Sequence, residues 1–181
     1  MEFSLEDRNT LISIAKWSIH HLLETGGQSS LPDMFKISDA LKLKVGAFVT
    51  VYVNEHLRGC IGTFSESEQL YRNVRQMAIQ AAFEDHRFKP VQLSELENMR
   101  IEISVLSPRE KIMNPMEINI GKHGIYMIHG YRKATLLPQV AVENHFSTIE
   151  FLECCAKNKL GLSKDSWREA ELYVYEAIVI K

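Results

Sequence analysis

The stretch that decides the fold is AFVTVYVNEHLRGCIG, residues 47–62. Its first half alternates strictly, with Val49, Val51 and Val53 on one side of an extended chain and aromatic or hydroxyl side chains on the other. The polar residues 54–56 interrupt this pattern, and a second extended segment follows. The stretch therefore predicts a β-hairpin.

The length of the hairpin loop decides which side chains meet. A three-residue loop pairs Val53 with Leu57 and Val51 with Gly59, so that all the aliphatic side chains share one face. A two-residue loop mixes the two faces, and we therefore predict the loop of three residues. This register gathers the polar and reactive side chains on the opposite face, and these are Thr50, Tyr52, Arg58 and Cys60.

The second strand, LRGCIG at residues 57–62, has the composition of a functional site. Gly59 and Gly62 flank Cys60, and glycine within a strand marks a bulge or the close approach of a ligand or another backbone. Arg58 lies two residues before the cysteine, where a guanidinium that folds back lowers the thiol pKa. Cys60 is equally compatible with a small buried packing residue. We expect this face to border a functional pocket.

The composition of the chain is that of an ordinary globular protein. Its 181 residues are 45% hydrophobic and carry a formal net charge of −2. A slightly negative net charge does not favour binding to nucleic acid. In addition, no apolar run is long enough to span a membrane. Three cysteines, two of them adjacent, do not make a disulfide framework. We therefore expect one cytoplasmic domain over residues 1–181 that binds neither nucleic acid nor membranes.

Helices and hairpins are interspersed along the chain, with few βαβ crossovers. Leu5 to about Thr25 has the apolar spacing of an amphipathic helix that packs on the rest, with Ser4 as its N-cap. The segments 99–106 and 171–180 have the patterns of strands. This order predicts an α+β fold, a mainly antiparallel sheet with flanking helices. Two lobes around the hairpin are compatible with it.

The exit of the second predicted helix, EDHRFKP at residues 84–90, is rich in charge. These groups either complement the helix dipole or turn toward Cys60 as acid, base or binding group. The candidates are Glu84, Asp85, His86 and Arg87.

Two segments of the second half supply further candidates. GKHG at residues 121–124 is a basic turn that lacks the spacing of a phosphate-binding loop, and its candidate is His123. LLPQV at residues 136–140 places Pro138 and Gln139 after an apolar strand, where they line a pocket or merely end the strand. Adjacent pairs of histidines and of cysteines do not have metal-ligand spacing, so we expect neither a metal nor a cofactor.

The motifs of this chain, in their order, resemble those of the AMMECR-type domain, called AmmeMemoRadiSam system protein A in prokaryotes. The resemblance covers about Gly46 to Glu176, and LRGCIG together with LPQVA is its most specific part. It implies an α+β domain of two lobes that shares a pathway with a Memo-like protein and a radical-SAM protein. His86 departs from the family's pattern, which has proline in DPRF, and this favours a structural role for His86.

Two functional hypotheses follow. In the first, the chain is a small-substrate enzyme or a substrate-handling component, in which Arg58 clamps an anionic group and Cys60 is a nucleophile, hydrogen-atom donor or covalent carrier. In the second, it is a non-catalytic module that docks a Memo-like or radical-SAM partner through surfaces that include Gln139. For the glycines, we expect Gly59→Ala to destabilise the fold and Gly62→Ala to leave stability near normal while removing binding.

Overall fold

The computed structural model describes residues 1–27 and 29–181. The chain divides into two compact units, the first formed by residues 1–106 and 178–181 and the second by residues 107–177. Both combine antiparallel strands with helices, so the predicted α+β class with a mainly antiparallel sheet is confirmed. Within the described ranges, no helix combines the length and the apolar character that crossing a membrane requires.

The first unit is built on three antiparallel strands, with β1 in the centre. Its elements are α1 (Leu5–Thr25), β1 (Ala47–Val53), β2 (His56–Thr63), α2 (Leu70–Phe83) and β3 (Met99–Leu106). The predicted N-cap of α1 is confirmed, because the Ser4 hydroxyl accepts a hydrogen bond from the Asp7 N–H and the Asp7 carboxylate bonds back to Ser4. The core joins the buried valines of β1 to the apolar sides of α1 and α2.

The hairpin differs from the prediction at its tip. The pairs Val49–Ile61 and Val51–Gly59 are as predicted, but Val53 pairs with His56, so the loop has two residues and the predicted Val53–Leu57 pair is wrong. Asn54 and Glu55 both have positive φ, 49° and 62°, as a tight two-residue hairpin turn requires.

A bulge reconciles this short loop with the hydrophobic pattern. Tyr52 pairs with Leu57 and Val51 with Gly59, which leaves Arg58 as one extra residue in β2. The extra residue restores the predicted faces from Gly59 onward. The prediction derived the loop length from the aliphatic face by assuming a ladder without a bulge. The face is therefore correct and the loop length is not.

The second unit has its own core around Met127, Phe151 and Leu152. β7 pairs with β4 and β5, and β5 pairs with β6, all antiparallel. Its elements are β4 (Glu110–Ile112), β5 (His123–His129), β6 (Arg132–Leu136), α3 (Pro138–Glu143), α4 (Thr148–Cys154), a π-helical turn (Cys155–Lys159) and β7 (Glu171–Ile180), whose last residues belong to the first unit.

Candidate functional site

The three strands of the first unit have a second face, opposite the one that carries the buried valines. It consists of the β1 residues that alternate with those valines and of their partners on β2 and β3. We call it the Cys60 face. All its members are half-buried, and they are Phe48, Thr50, Tyr52, Cys60, Gly62, Arg100 and Glu102.

A row of three polar side chains crosses the Cys60 face. Thr50 is the register partner of Cys60 in β2 and of Glu102 in β3, and directly opposed residues have Cβ atoms about 5 Å apart. The Thr50 hydroxyl donates a hydrogen bond to the Cys60 sulfur at 3.2 Å. The Glu102 side chain is 13% exposed, and its Oε2 lies 3.2 Å from Lys181 Nζ. The row therefore joins a thiol, a hydroxyl and a carboxylate.

The main chain of Cys60 is held by two residues from the exit of α2. Asp85 Oδ2 accepts a hydrogen bond from the Cys60 N–H at 2.9 Å, and Arg87 Nη2 donates one to the Cys60 carbonyl at 3.1 Å. Arg87 also bonds Asp85 through Nε and Nη2, and these bonds hold the pKa of Asp85 at about 2. The carboxylate is thus fully ionised and 7% exposed, which makes it an anchor and unsuited to proton exchange at neutral pH.

The thiol pKa of Cys60 is raised above its usual value, mainly because the group is buried. The hydrogen bond from Thr50 and the charge of Arg87 act in the opposite direction, while Asp85 and Glu102 raise the pKa further. Arg58 is not among the groups that shift this pKa, so the condition for a lowered pKa, an Arg58 guanidinium folded back toward the thiol, is not met. At neutral pH Cys60 carries a protonated thiol.

Arg58 serves a different purpose, at the bulge of β2. Its Nε and Nη2 each lie 3.2 Å from the Glu95 carboxylate, and its remaining donors reach the carbonyl oxygens of Lys89 and Pro90. The Arg58 side chain is only 16% exposed. Arg58 therefore ties β2 to the segment after α2, and the cation next to Cys60 is Arg87.

Different neighbours leave no room for a side chain at the two glycines of LRGCIG, Gly59 and Gly62. A Cβ on Gly59 would lie 1.8 Å from the Ala81 carbonyl oxygen in α2, so the expected close approach of another backbone is present. A Cβ on Gly62 would lie 2.2 Å from the ring of Phe48, its cross-strand partner. The space above Gly62 is filled by that ring, so the expectation of near-normal stability for Gly62→Ala needs revision.

The remaining candidates of the first unit have separate surroundings. Tyr52 lies under the Arg100 guanidinium, whose central carbon is 4.1 Å from the ring centroid, and Arg100 also pairs with Glu55 at 3.0 Å. Glu84 is the exposed residue that caps the C-terminus of α2, and His86 is exposed beyond it. The structure thus connects Thr50, Cys60, Asp85 and Arg87 through hydrogen bonds and places Tyr52 and Gly62 on the same face.

The three other candidates belong to the second unit. His123 begins β5, and its Nδ1 accepts a hydrogen bond from the Asn119 N–H at 3.2 Å. Pro138 is buried at the first position of α3, where its fixed φ suits a helix start, and Gln139 follows it. The proline therefore begins a helix, which the sequence analysis did not foresee.

Glu102 also belongs to the site, although the sequence patterns did not single it out. The alternation of MRIEISVL places Arg100, Glu102 and Ser104 on one face of β3, which is a visible signal. It does not reveal that β3 lies beside β1 in a register that sets Glu102 opposite Thr50. Within the described ranges, no three histidine, cysteine or acidic residues converge as a metal centre requires.

Comparison with known proteins gives consistent matches over nearly the whole chain. The AMMECR1 family model matches residues 12–180. Protein NEQ441 of Nanoarchaeum equitans is 38% identical, with 94% of this chain and 98% of that protein covered. Protein MK0488 of Methanopyrus kandleri is 39% identical, with 99% and 90% covered. The crystal structure of the uncharacterised protein PH0010 from Pyrococcus horikoshii is 34% identical and superposes with a TM-score of 0.84, covering 93% of this chain and 88% of that one.

Proposed function

The chain belongs to the AMMECR1 family, and we propose that its Cys60 face handles a small substrate in a pathway shared with a Memo-like and a radical-SAM protein. The observation that carries the proposal is the row of Cys60, Thr50 and Glu102 on three adjacent strands. Three different hydrogen-bonding groups, fixed on regular strands, form a preorganised binding surface.

Asp85 and Arg87 form a bracket around the main chain of Cys60, and this bracket supports the proposal because it fixes the position of the thiol. Asp85 and Arg87 hold the N–H and the carbonyl of Cys60, and neither bond is needed by the β1–β2 ladder. The Arg87 side chain is still 59% exposed, so it offers a cation at the margin of the face. The clamping of an anionic group, first assigned to Arg58, therefore passes to Arg87.

The protonation state of Cys60 narrows its role. A thiol with a raised pKa is a poor nucleophile at neutral pH, so a resting thiolate is disfavoured. A protonated thiol remains suited to donating a hydrogen bond to a bound substrate. We assign this role to Cys60 and hydrogen-bond acceptance to Glu102.

The alternative is a protein-docking module, and the aromatic side chains of the Cys60 face favour it. Phe48 and Tyr52 are both half-buried there, and aromatic residues are enriched at protein interfaces. In this version a Memo-like or radical-SAM partner covers the face, and the thiol serves only in packing.

Alkylation of the native protein separates the two proposals. Iodoacetamide is expected to modify Cys60 without unfolding, while the buried Cys155 of the same chain serves as the internal control. If the face handles a substrate, the alkylated protein still binds its purified partners in size-exclusion chromatography but no longer supports turnover of the combined system. If the face docks a partner, alkylation abolishes the complex, and the partner protects Cys60 from the reagent.

A further inference from the structure

A cavity of about 530 Å³ lies in the second unit, beside the 3-10 helix Lys164–Glu169. Its volume is within the range of small-molecule sites. The wall residues that matter for its chemistry are Lys111, Ile112, Trp167, Arg168, Glu171 and Leu172. None of these residues contributes to the Cys60 face, so the cavity is independent of the proposed function.

Trp167 has a hydrogen-bond donor that the fold does not use. The residue is 5% exposed, and its indole Nε1–H is buried without an acceptor among the described residues. Buried donors are nearly always paired, because leaving one unpaired costs folding free energy. Trp167 lines the cavity although its Nε1 is itself covered, so an acceptor from outside the chain can pair with this N–H only when the wall moves.

The cation next to this indole is weakly paired. The Arg168 guanidinium carbon lies 4.3 Å from the Trp167 ring centroid. Its ion pair with Asp165 is long, with 3.7 Å between Nε and Oδ1. Lys111, by contrast, is held at 2.6 Å by Glu171, and this pair offsets the negative charge that the Glu171 carboxylate brings to the wall. Arg168 is thus the cation of the wall that is best able to accept a new anionic partner.

From these features we infer that the cavity binds a small carboxylate with a short apolar chain. The carboxylate accepts hydrogen bonds from Trp167 Nε1–H and from Arg168, and the chain lies against Ile112 and Leu172. Because Nε1 is covered in this structure, binding includes a movement of the wall that uncovers it.

The indole N–H signal of Trp167 reports this event directly. The chain has two tryptophans, so a ¹H–¹⁵N spectrum shows two indole signals, which the Trp17→Phe variant assigns. Sodium hexanoate is the probe, and hexan-1-ol and sodium acetate are its controls at constant ionic strength. Hexanoate is expected to shift the Trp167 signal saturably and leave the Trp17 signal in place, with binding at least several-fold tighter than that of either control.

A pair of variants tests the role of the charge. Arg168→Gln is expected to weaken hexanoate binding about tenfold, as the loss of a charge-assisted hydrogen bond does. Lys133→Gln removes the same charge from an exposed position of the second unit outside the cavity wall, and should leave binding unchanged. The proposal is overturned if hexanoate gives no saturable shift, if hexan-1-ol binds equally well, or if both variants weaken binding alike.

Discussion

Each unit covers a strand glycine with an aromatic ring from the neighbouring strand, but the two rings have different surroundings. In the first unit Phe48 covers Gly62, and in the second Tyr175 covers Gly124. Phe48 is half-buried on the Cys60 face, whereas Tyr175 is 2% exposed. The ring over the glycine is therefore a packing device common to both units, and it does not by itself indicate a site.

The polar groups around the two rings make the distinction. The Tyr175 hydroxyl lies 2.7 Å from the Thr135 hydroxyl and donates to the Leu136 carbonyl at 3.2 Å, in a neutral and buried network. Burial raises the pKa of Tyr175 well above its usual value. On the face that carries Phe48 the polar network is charged and partly open, because Asp85 and Arg87 hold the main chain of Cys60. The charged and partly exposed groups around Cys60 therefore distinguish the first unit as the one with a candidate site.

The largest effect is expected for Gly59→Ala. The added Cβ would meet the Ala81 carbonyl oxygen at 1.8 Å, and that atom belongs to the backbone of α2, so strand and helix must separate. We expect a loss of more than about 3 kcal/mol in unfolding free energy, at the upper end of overpacking effects. Urea titration followed by circular dichroism measures it.

Gly27→Ala is the matched control, since its added Cβ meets no atom within 4 Å. That variant should differ from the wild type by less than about 0.5 kcal/mol. If Gly59→Ala is as stable as Gly27→Ala, β2 does not lie against α2 as described.

Asp85→Asn tests the contribution of the Asp85 carboxylate, which bonds the Cys60 N–H and Arg87 in the first unit. The folded pKa of Asp85, about 2, lies below its usual 3.8, so this carboxylate contributes about 2 kcal/mol above roughly pH 4, and the contribution is lost as the pH falls toward 2. Asp85→Asn should therefore be less stable than the wild type by about that amount at pH 6. The difference should shrink steadily as the pH falls from about 4 to about 2.

Urea titrations of both proteins at several pH values measure this difference. Asp165→Asn, at an exposed carboxylate in the second unit, is the control and should show little change. A gap between Asp85→Asn and the wild type that is independent of pH would mean that Asp85 acts through packing alone.

The two covered glycines should respond to alanine unequally. Gly124→Ala places a Cβ 2.5 Å from Cζ of Tyr175, a ring held by buried hydrogen bonds, and we expect a loss of about 2 kcal/mol. Gly62→Ala displaces the half-buried ring of Phe48, for which about 1 kcal/mol is expected. Thermal unfolding of both variants decides the order. A larger loss for Gly62→Ala would contradict the contrast between the two regions.

Much of the first region could be predicted from local sequence, and the parts that failed depend on non-local contacts. Alternation in β1 fixed the faces, and the pairing of Val51 with Gly59 was predicted correctly. The bulge at Arg58 was not predicted, because it accompanies a two-residue turn. Such a turn needs positive φ at Asn54 and Glu55, and glutamate is not a residue typical of positive φ.

The candidate site shows the same division. Asp85 was recognised as a candidate, but its role as an anchor for the Cys60 N–H depends on how the exit of α2 meets β2. Glu102 is 42 residues beyond Cys60 in the numbering of the chain, and only the β1–β3 register brings the two into one row. Side-chain patterns predict faces, whereas neighbours across strands depend on tertiary pairing.

The pH dependence of Cys60 alkylation tests most directly whether the Cys60 face holds a protonated thiol beside a carboxylate. Rates of iodoacetamide modification of the native wild type and of Glu102→Gln are followed by peptide mass spectrometry. We expect a midpoint above about 8.5, the usual cysteine value, and a lower midpoint in Glu102→Gln, because Glu102 raises the thiol pKa. A wild-type midpoint at or below 8.5, the same midpoint in both proteins, or modification only after unfolding would contradict it.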